Sequence, residues 1–320
     1  MNNQAKLPLD GIVTVLNTPF DAAGRVDVDA LAAHARYALE AGVAGFLYPA
    51  IASEVSELSR EERRAAVAGL AAAVDGAVPI VGGAWAAEQS GRVAWAQELA
   101  DLGCAGVLVN ITHETDEQYL ADVEEIAAAC PAWLMIQDWD PVGEGLPLDL
   151  IQRLYESVPS FRSLKIETVP AGPKYSAVRD MTGGQLHVAG GWAVTQMIEG
   201  LERGVDAFMP TGLHHAYVRI HRLYRAGDIA GAEAVFREVL PILAFSNQHL
   251  DISLHFFKRL LKAQGIYPTD TVRARTKPFD AVHARRADAL LAEAMALEGR
   301  CAALNGGPAH LGENAHPGAT

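Results

Sequence analysis

At 320 residues the chain is long enough to bury one large core or two smaller ones. Half of it is apolar and a fifth is charged, as in ordinary globular proteins, and the net charge of −13 argues against nucleic acid or an anionic membrane surface as the main partner. No run of about 18 apolar residues occurs, and the opening MNNQAKLPLDGIV lacks the charged-then-apolar order of a signal peptide, so a cytoplasmic location is the default expectation.

A phrase recurs along the chain: LEAGVAGFLYP around Gly42, ADLGCAGVLVN around Gly103 and LERGVDAFMPT around Gly204. Each joins the end of an amphipathic helix, a glycine suited to left-handed backbone just past it, and a short apolar run of strand length. The glycines stand 61 and 101 residues apart, about two and three units of roughly 30 residues, the size of a βα repeat. On that period strands are expected at 11–17, 45–48, 78–81, 106–109, 133–136, 163–167, 186–189 and 207–209, which makes the fold class α/β and the architecture a (β/α)8 TIM barrel. A doubly wound open sheet is the alternative, and it lacks a GxGxxG after the first strand. Ser59 with Glu62 and Thr115 with Gln118 read as capping boxes at helix starts.

After about Gly227 the strand signal stops. IAGAEAVFREVLPILAF, DISLHFFKRLLKAQG and AVHARRADALLAEAMALEG read as three further helices. The expected organisation is a barrel over 1–226, a helical appendix over 227–300 and a mobile tail over 301–320, since NGGPAHLGENAHPGAT has no apolar periodicity. Cys104, Cys130 and Cys301 show neither CxxC nor His/Cys metal spacing, and Cys104 and Cys130 read as small core residues.

Barrel enzymes work at the C-terminal ends of their strands, and Lys165, in the sixth, is the one lysine or arginine at any of these exits. Alternation puts Lys165 on one face with Ser163 and Glu167, opposite Leu164 and Ile166, so it points into the barrel. Loss of water disfavours an ammonium, and a free amine there can attack a carbonyl to form a Schiff base. An ion pair with Glu167 explains the same position equally well. His113, Glu114, His214, His215 and Asp138 lie at strand exits without HxH or HExxH spacing, so no metal is expected, and no phosphate loop or serine elbow points to a cofactor or another nucleophile.

NTPFDAAGRVDVDAL, GVAGFLYPAIASEVSELSREER, VPIVGG and SLKIE, in this order and followed by a helical C-terminus, resemble the dihydrodipicolinate synthase and N-acetylneuraminate lyase superfamily over about 11–265. The resemblance implies a homo-oligomer, tetramer or dimer, in which Lys165 forms a Schiff base with a 2-oxo acid and no cofactor takes part. It also shows departures. Ala50-Ile51-Ala52-Ser53-Glu54 replaces the Gly-Thr-Thr-Gly-Glu of the synthase, and QDWDP replaces Tyr-Asn-Val-Pro, which turns the tyrosine acid/base into Gln137. His113 and Glu114 stand where the synthase has paired tyrosines, and PVGEGLP lacks its carboxylate-binding arginine. These losses argue against dihydrodipicolinate synthase activity.

MIQD, KIET and the Ser-Glu ending of the second loop are more similar to 2-keto-3-deoxy sugar acid dehydratases, notably L-2-keto-3-deoxyarabonate dehydratase. That likeness implies Lys165 as nucleophile, Ser53 and neighbouring amides such as that of Ala52 on the substrate carboxylate, and Gln137 orienting substrate oxygens. Glu114 or His113 would replace the missing acid/base or be plain surface residues. Gly190, Trp192 and His214 would shape the pocket, and Thr18 and Glu54 would contact substrate or belong to the scaffold. Dehydration of a 2-keto-3-deoxy acid is the expected reaction, with aldol cleavage of a 4-hydroxy-2-oxo acid, or a barrel that binds 2-oxo acids without turnover, as alternatives.

Overall fold

The computed structural model of this chain describes residues 6–306 and places a strand after each of the three recurring glycines. Gly42, Gly103 and Gly204 have φ of 92°, 92° and 75°, the left-handed backbone that lets a helix end and the chain turn at once into the next strand.

The elements alternate as β1 (Gly11–Val15), α1 (Val28–Ala41), β2 (Gly45–Leu47), α2 (Arg60–Val74), β3 (Ile80–Gly83), α3 (Gln89–Asp101), β4 (Gly106–Val109) and α4 (Asp116–Ala129). The second half follows with β5 (Trp133–Asp140), α5 (Leu148–Ser157), β6 (Phe161–Thr168), α6 (Ala171–Met181), β7 (His187–Gly190), α7 (Met197–Glu202), β8 (Ala207–Phe208) and α8 (His214–Arg225). The strands run parallel in sequence order and β8 pairs with β1, so the sheet closes into a (β/α)8 barrel; the open-sheet alternative is excluded. Three further helices follow among the described residues: α9 (Ile229–Ser246), α10 (Leu250–Ala263) and α11 (Ala281–Asn305).

Alternation along the strands sorts side chains into two layers. Phe46, Leu134, Ile136, Leu164 and Ile166 face out into the large core beneath the helices. Val13, Leu47, Val81, Leu108, Met135 and Ala189 fill the barrel interior. Each such aliphatic burial contributes about 1.5–3 kcal/mol, and the layers fix which residues of β5 and β6 can point inward.

Those two strands are longer than their apolar runs. Both span eight residues, because backbone pairing continues past Ile136 through Gln137↔Lys165, Asp138↔Ile166, Trp139↔Glu167 and Asp140↔Thr168. Outward-facing Asp138 is accommodated by Lys174 at 2.5 Å and the Leu146 N–H at 2.8 Å. In β5 polar residues thus end the hydrophobic signal four residues before the strand ends.

The box at Ser59 and Glu62 is reciprocal, each side chain bonding the other's backbone N–H. At α4 only half of the expected box forms: the Thr115 hydroxyl accepts from Gln118 N–H, and the Gln118 amide turns to Asp122 instead. α9 and α11 pack on α8, whose first N–H groups are capped from a distance by Glu298 of α11. α11 continues to Asn305 with Cys301 buried, so the expected tail boundary at residue 301 is corrected; 307–320 lie outside the described residues.

Candidate active site

A cavity of about 400 Å³ opens at the C-terminal ends of the strands, within the size range of small-molecule sites. Lys165 and Glu167 on β6 and Gln137 on β5 line it side by side, as their register dictates. Lys165 Nζ lies 3.2 Å from Glu167 Oε1, and both side chains are only 6% exposed. Glu167 is held on both oxygens: the Trp192 N–H donates to Oε1 at 2.9 Å and Gln137 Nε2 donates to Oε2 at 2.5 Å. Gln137 in turn accepts from Asn110 Nδ2 at 3.3 Å. A Cβ on Gly191 would fall 2.0 Å from Glu167 Oε1, so only glycine lets the loop after β7 close over the carboxylate.

The ion pair expected as the bland explanation of Lys165 is therefore present, and it sits at a cavity rather than in sealed core. A carboxylate 3.2 Å from an amine can share its proton, and both groups face space for a ligand.

Ala52 and Trp192 also line the cavity, as does Ile51. Trp192 meets Trp139 edge to face, with ring centroids 6.2 Å apart. Gly190 is buried just below, where a Cβ would come 2.8 Å from the Tyr175 hydroxyl.

The other expected contacts are placed elsewhere. Ser53 is fully buried and its hydroxyl is engaged on both sides, donating to Leu16 O at 2.6 Å and accepting from Ala50 N–H at 3.0 Å. Thr18 donates to Ser53 O at 2.6 Å and meets Tyr48 Oη at 3.1 Å. Both shape the second loop from beneath instead of lining the cavity. Glu54, with φ of 57°, pairs with buried Lys258 and accepts from Arg273 N–H and Ala274 N–H at 2.7 Å, tying that loop to the C-terminal segment.

His113 and Glu114 lie exposed ahead of α4, with His113 Nε2 2.8 Å from Asp116 and its ring against Tyr119. His214 is buried in a string running from Thr14 Oγ1 through His214 and His34 to Tyr267, which donates to Asn17 O at 2.6 Å. Because Tyr267 spends its proton there, His34 donates through Nδ1 and His214 through Nε2. Burial holds both rings neutral, pushing His34 down to about 3.

Two parts of the site escape the sequence reading. Glu167 looked like a partner for Lys165 and lines the cavity in its own right. Much of the outer wall comes from the appendix: Leu243, Asn247, Gln248, His249, Ser253 and Phe257. The sequence marks α9 and α10 only as helices of an appendix.

The sequence profile of the dihydrodipicolinate synthetase family matches residues 8–294. An uncharacterized DapA-like lyase of Halobacterium salinarum is 36% identical over 103 residues, covering 32% of this chain and 34% of that protein, so the match spans about a third of its length. A 4-hydroxy-tetrahydrodipicolinate synthase of Xanthomonas axonopodis pv. citri is 27% identical over 301 residues, covering 91% of this chain and 97% of the relative. Among solved structures, dihydrodipicolinate synthase from Rhodopseudomonas palustris superposes with a TM-score of 0.81 at 21% identity over 91% of this chain and all of its own, a likeness of fold.

Proposed function

The chain belongs to the dihydrodipicolinate synthetase family, and from that premise we propose that it is a Schiff-base lyase of 2-oxo acids that dehydrates a 2-keto-3-deoxy sugar acid. The observation that carries this reading is the Lys165–Glu167–Gln137 cluster at the cavity floor, an amine and a fixed carboxylate with an amide in the tyrosine's place.

In this scheme the Lys165 amine attacks the C2 carbonyl and water leaves, giving a protonated imine. That cation draws electrons from C3, whose proton passes to a carboxylate; Glu167, 3.2 Å from Lys165 Nζ, is the carboxylate in reach. The resulting enamine expels the C4 hydroxyl, which takes a proton and departs as water, and hydrolysis of the unsaturated imine frees Lys165. Gln137 cannot relay protons as a phenol does, so its part is to hold Glu167 and to orient substrate oxygens. Ala52 and the backbone of the second loop are the candidates for the substrate carboxylate, with Ser53 and Thr18 as positioning residues behind them.

The relatives named as 4-hydroxy-tetrahydrodipicolinate synthases do not extend that activity to this chain, because Gln137, Ile51 and Ala52 replace the proton relay and no arginine lines the cavity among the described residues. A panel of 2-keto-3-deoxy pentonates and hexonates and of 4-hydroxy-2-oxo acids, with Lys165→Ala as control, tests the reading. Water loss from a 2-keto-3-deoxy acid that disappears in the variant supports it; aldol cleavage alone would move the reaction to the aldolases, and turnover surviving in Lys165→Ala would remove the mechanism.

A further inference from the structure

The outer wall of the cavity has a chemistry that the proposed elimination does not use. It is built at the α9–α10 junction by Asn247, Gln248 and His249 and, within the first turn of α10, Ser253. Each has hydrogen-bonding capacity left over. Asn247 Oδ1 accepts from the Ser246 hydroxyl at 3.3 Å, which leaves its amide N–H groups over. Gln248 Nε2 donates to Phe245 O at 3.1 Å, which leaves Oε1. His249 Nδ1 accepts from Asp251 N–H at 3.2 Å, so the ring proton of the neutral form sits on Nε2. The largely buried Ser253 hydroxyl has no partner among the described residues.

The wall therefore presents donors and acceptors together, the complement of hydroxyl groups, each of which is both. Trp139 and Trp192 add apolar faces suited to the C–H side of a carbon chain. Charge points the same way. Among the described residues Lys165 is the one lysine or arginine lining the cavity, and the iminium it forms lies at C2, between Glu167 and the substrate's own carboxylate rather than at the tail. The wall holds no lysine or arginine among the described residues, and its one imidazole, His249, has Nδ1 3.4 Å from Asp251 Oδ1, so a second carboxylate or a phosphate on the substrate would lose its water here with no unpaired cation to meet it.

We infer that the α9–α10 junction is a tail subsite that admits a neutral, hydroxylated chain and rejects a second anionic group. The inference rests on the Schiff-base reading, since attachment at Lys165 is what presents the tail to this wall.

Borohydride trapping on the full chain separates the two claims, because total covalent labelling of Lys165 is measured whether the acid or its product is caught. The probes are 2-keto-3-deoxygluconate, its 6-phosphate and 2-keto-3-deoxyglucarate, which differ only at the far carbon, with pyruvate as reference. The neutral acid is expected to half-saturate labelling at a concentration at least about tenfold below either charged one. Gln248→Arg, which brings a cation to the wall, is expected to shrink that ratio to below about threefold. Ser253→Ala is expected to weaken labelling by the neutral acid more than by pyruvate. Equal half-saturation of the three sugar acids, or a ratio that Gln248→Arg leaves unchanged, overturns the subsite while a pyruvate adduct keeps the Schiff-base reading standing. Absence of any adduct, pyruvate included, removes the reading and the subsite with it.

Discussion

Lys165 and Glu167 are two residues apart on one strand, and that spacing gives each a role only if the other is present. The carboxylate is fixed by Trp192 N–H and by Gln137, so it stays beside the amine when substrate enters. Glu167→Gln keeps an oxygen for the Trp192 N–H and loses the ability to take a proton. Turnover is expected to fall by roughly 10²–10⁴-fold while pyruvate can still be trapped on Lys165, measured by steady-state kinetics beside intact mass. Loss of trapping together with turnover would mean that Glu167 merely supports the lysine. Parity along SLKIET made the inward direction of both residues legible, but the amide at Gln137 and the loop closed by Gly191 are brought to Glu167 by tertiary contact across 30 and 24 residues. Ser53 and His214 show the opposite case, while Thr18 takes the scaffold role that was one of its two readings. Likeness to the dehydratases suggested substrate contact for Ser53 and a pocket place for His214, and only the structure reveals that their polar atoms are already taken.

At the scale of elements, the second loop and α8 are held by buried hydrogen bonds that make distinct predictions. Ser53→Ala leaves Leu16 O and Ala50 N–H without a partner and is expected to cost about 1–3 kcal/mol, read by urea unfolding. A change in KM with unchanged stability would instead place the hydroxyl on substrate. Glu298 caps the N-terminus of α8 from within the core, and burial pushes its carboxyl up to about 7. The unfolded chain releases this proton near the ordinary carboxylate value of 4.5, the folded one near 7, so the native state holds more protons between them. Its contribution is fully present below about pH 4.5, is lost as pH rises toward 7 and is flat above, a change of at most about 3 kcal/mol. Glu298→Gln, which stays neutral, is expected to gain stability relative to the parent as pH goes from 5 to 8, measured as the difference in Tm. A difference constant over that range would contradict the assignment. Helix periodicity shows where α11 lies, yet not that one of its carboxylates caps a helix more than 80 residues earlier.

Over the whole molecule, barrel and appendix share the site. Glu54 and Lys258 form a pair with side chains 0% and 1% exposed, and Arg273 bridges from the C-terminal segment to Glu62 and the carbonyl of Gly24. Glu54→Ala strands the Lys258 ammonium in the interior and is expected to cost about 3–5 kcal/mol, seen as a lower urea midpoint at unchanged m. The barrel itself was legible because the βα period repeats along the chain. The wall from Asn247 to Ser253 was not, because nothing local says which face of a late helix meets a lysine some 80 residues earlier. Every chemical step proposed for this assembly begins with one covalent bond to one amine. Incubation with pyruvate and borohydride, followed by intact mass and peptide mapping, tests it directly: the account predicts a single reduced pyruvyl adduct on Lys165 that is absent in Lys165→Ala, and an unlabelled parent protein, or a label that persists in the variant, would contradict it.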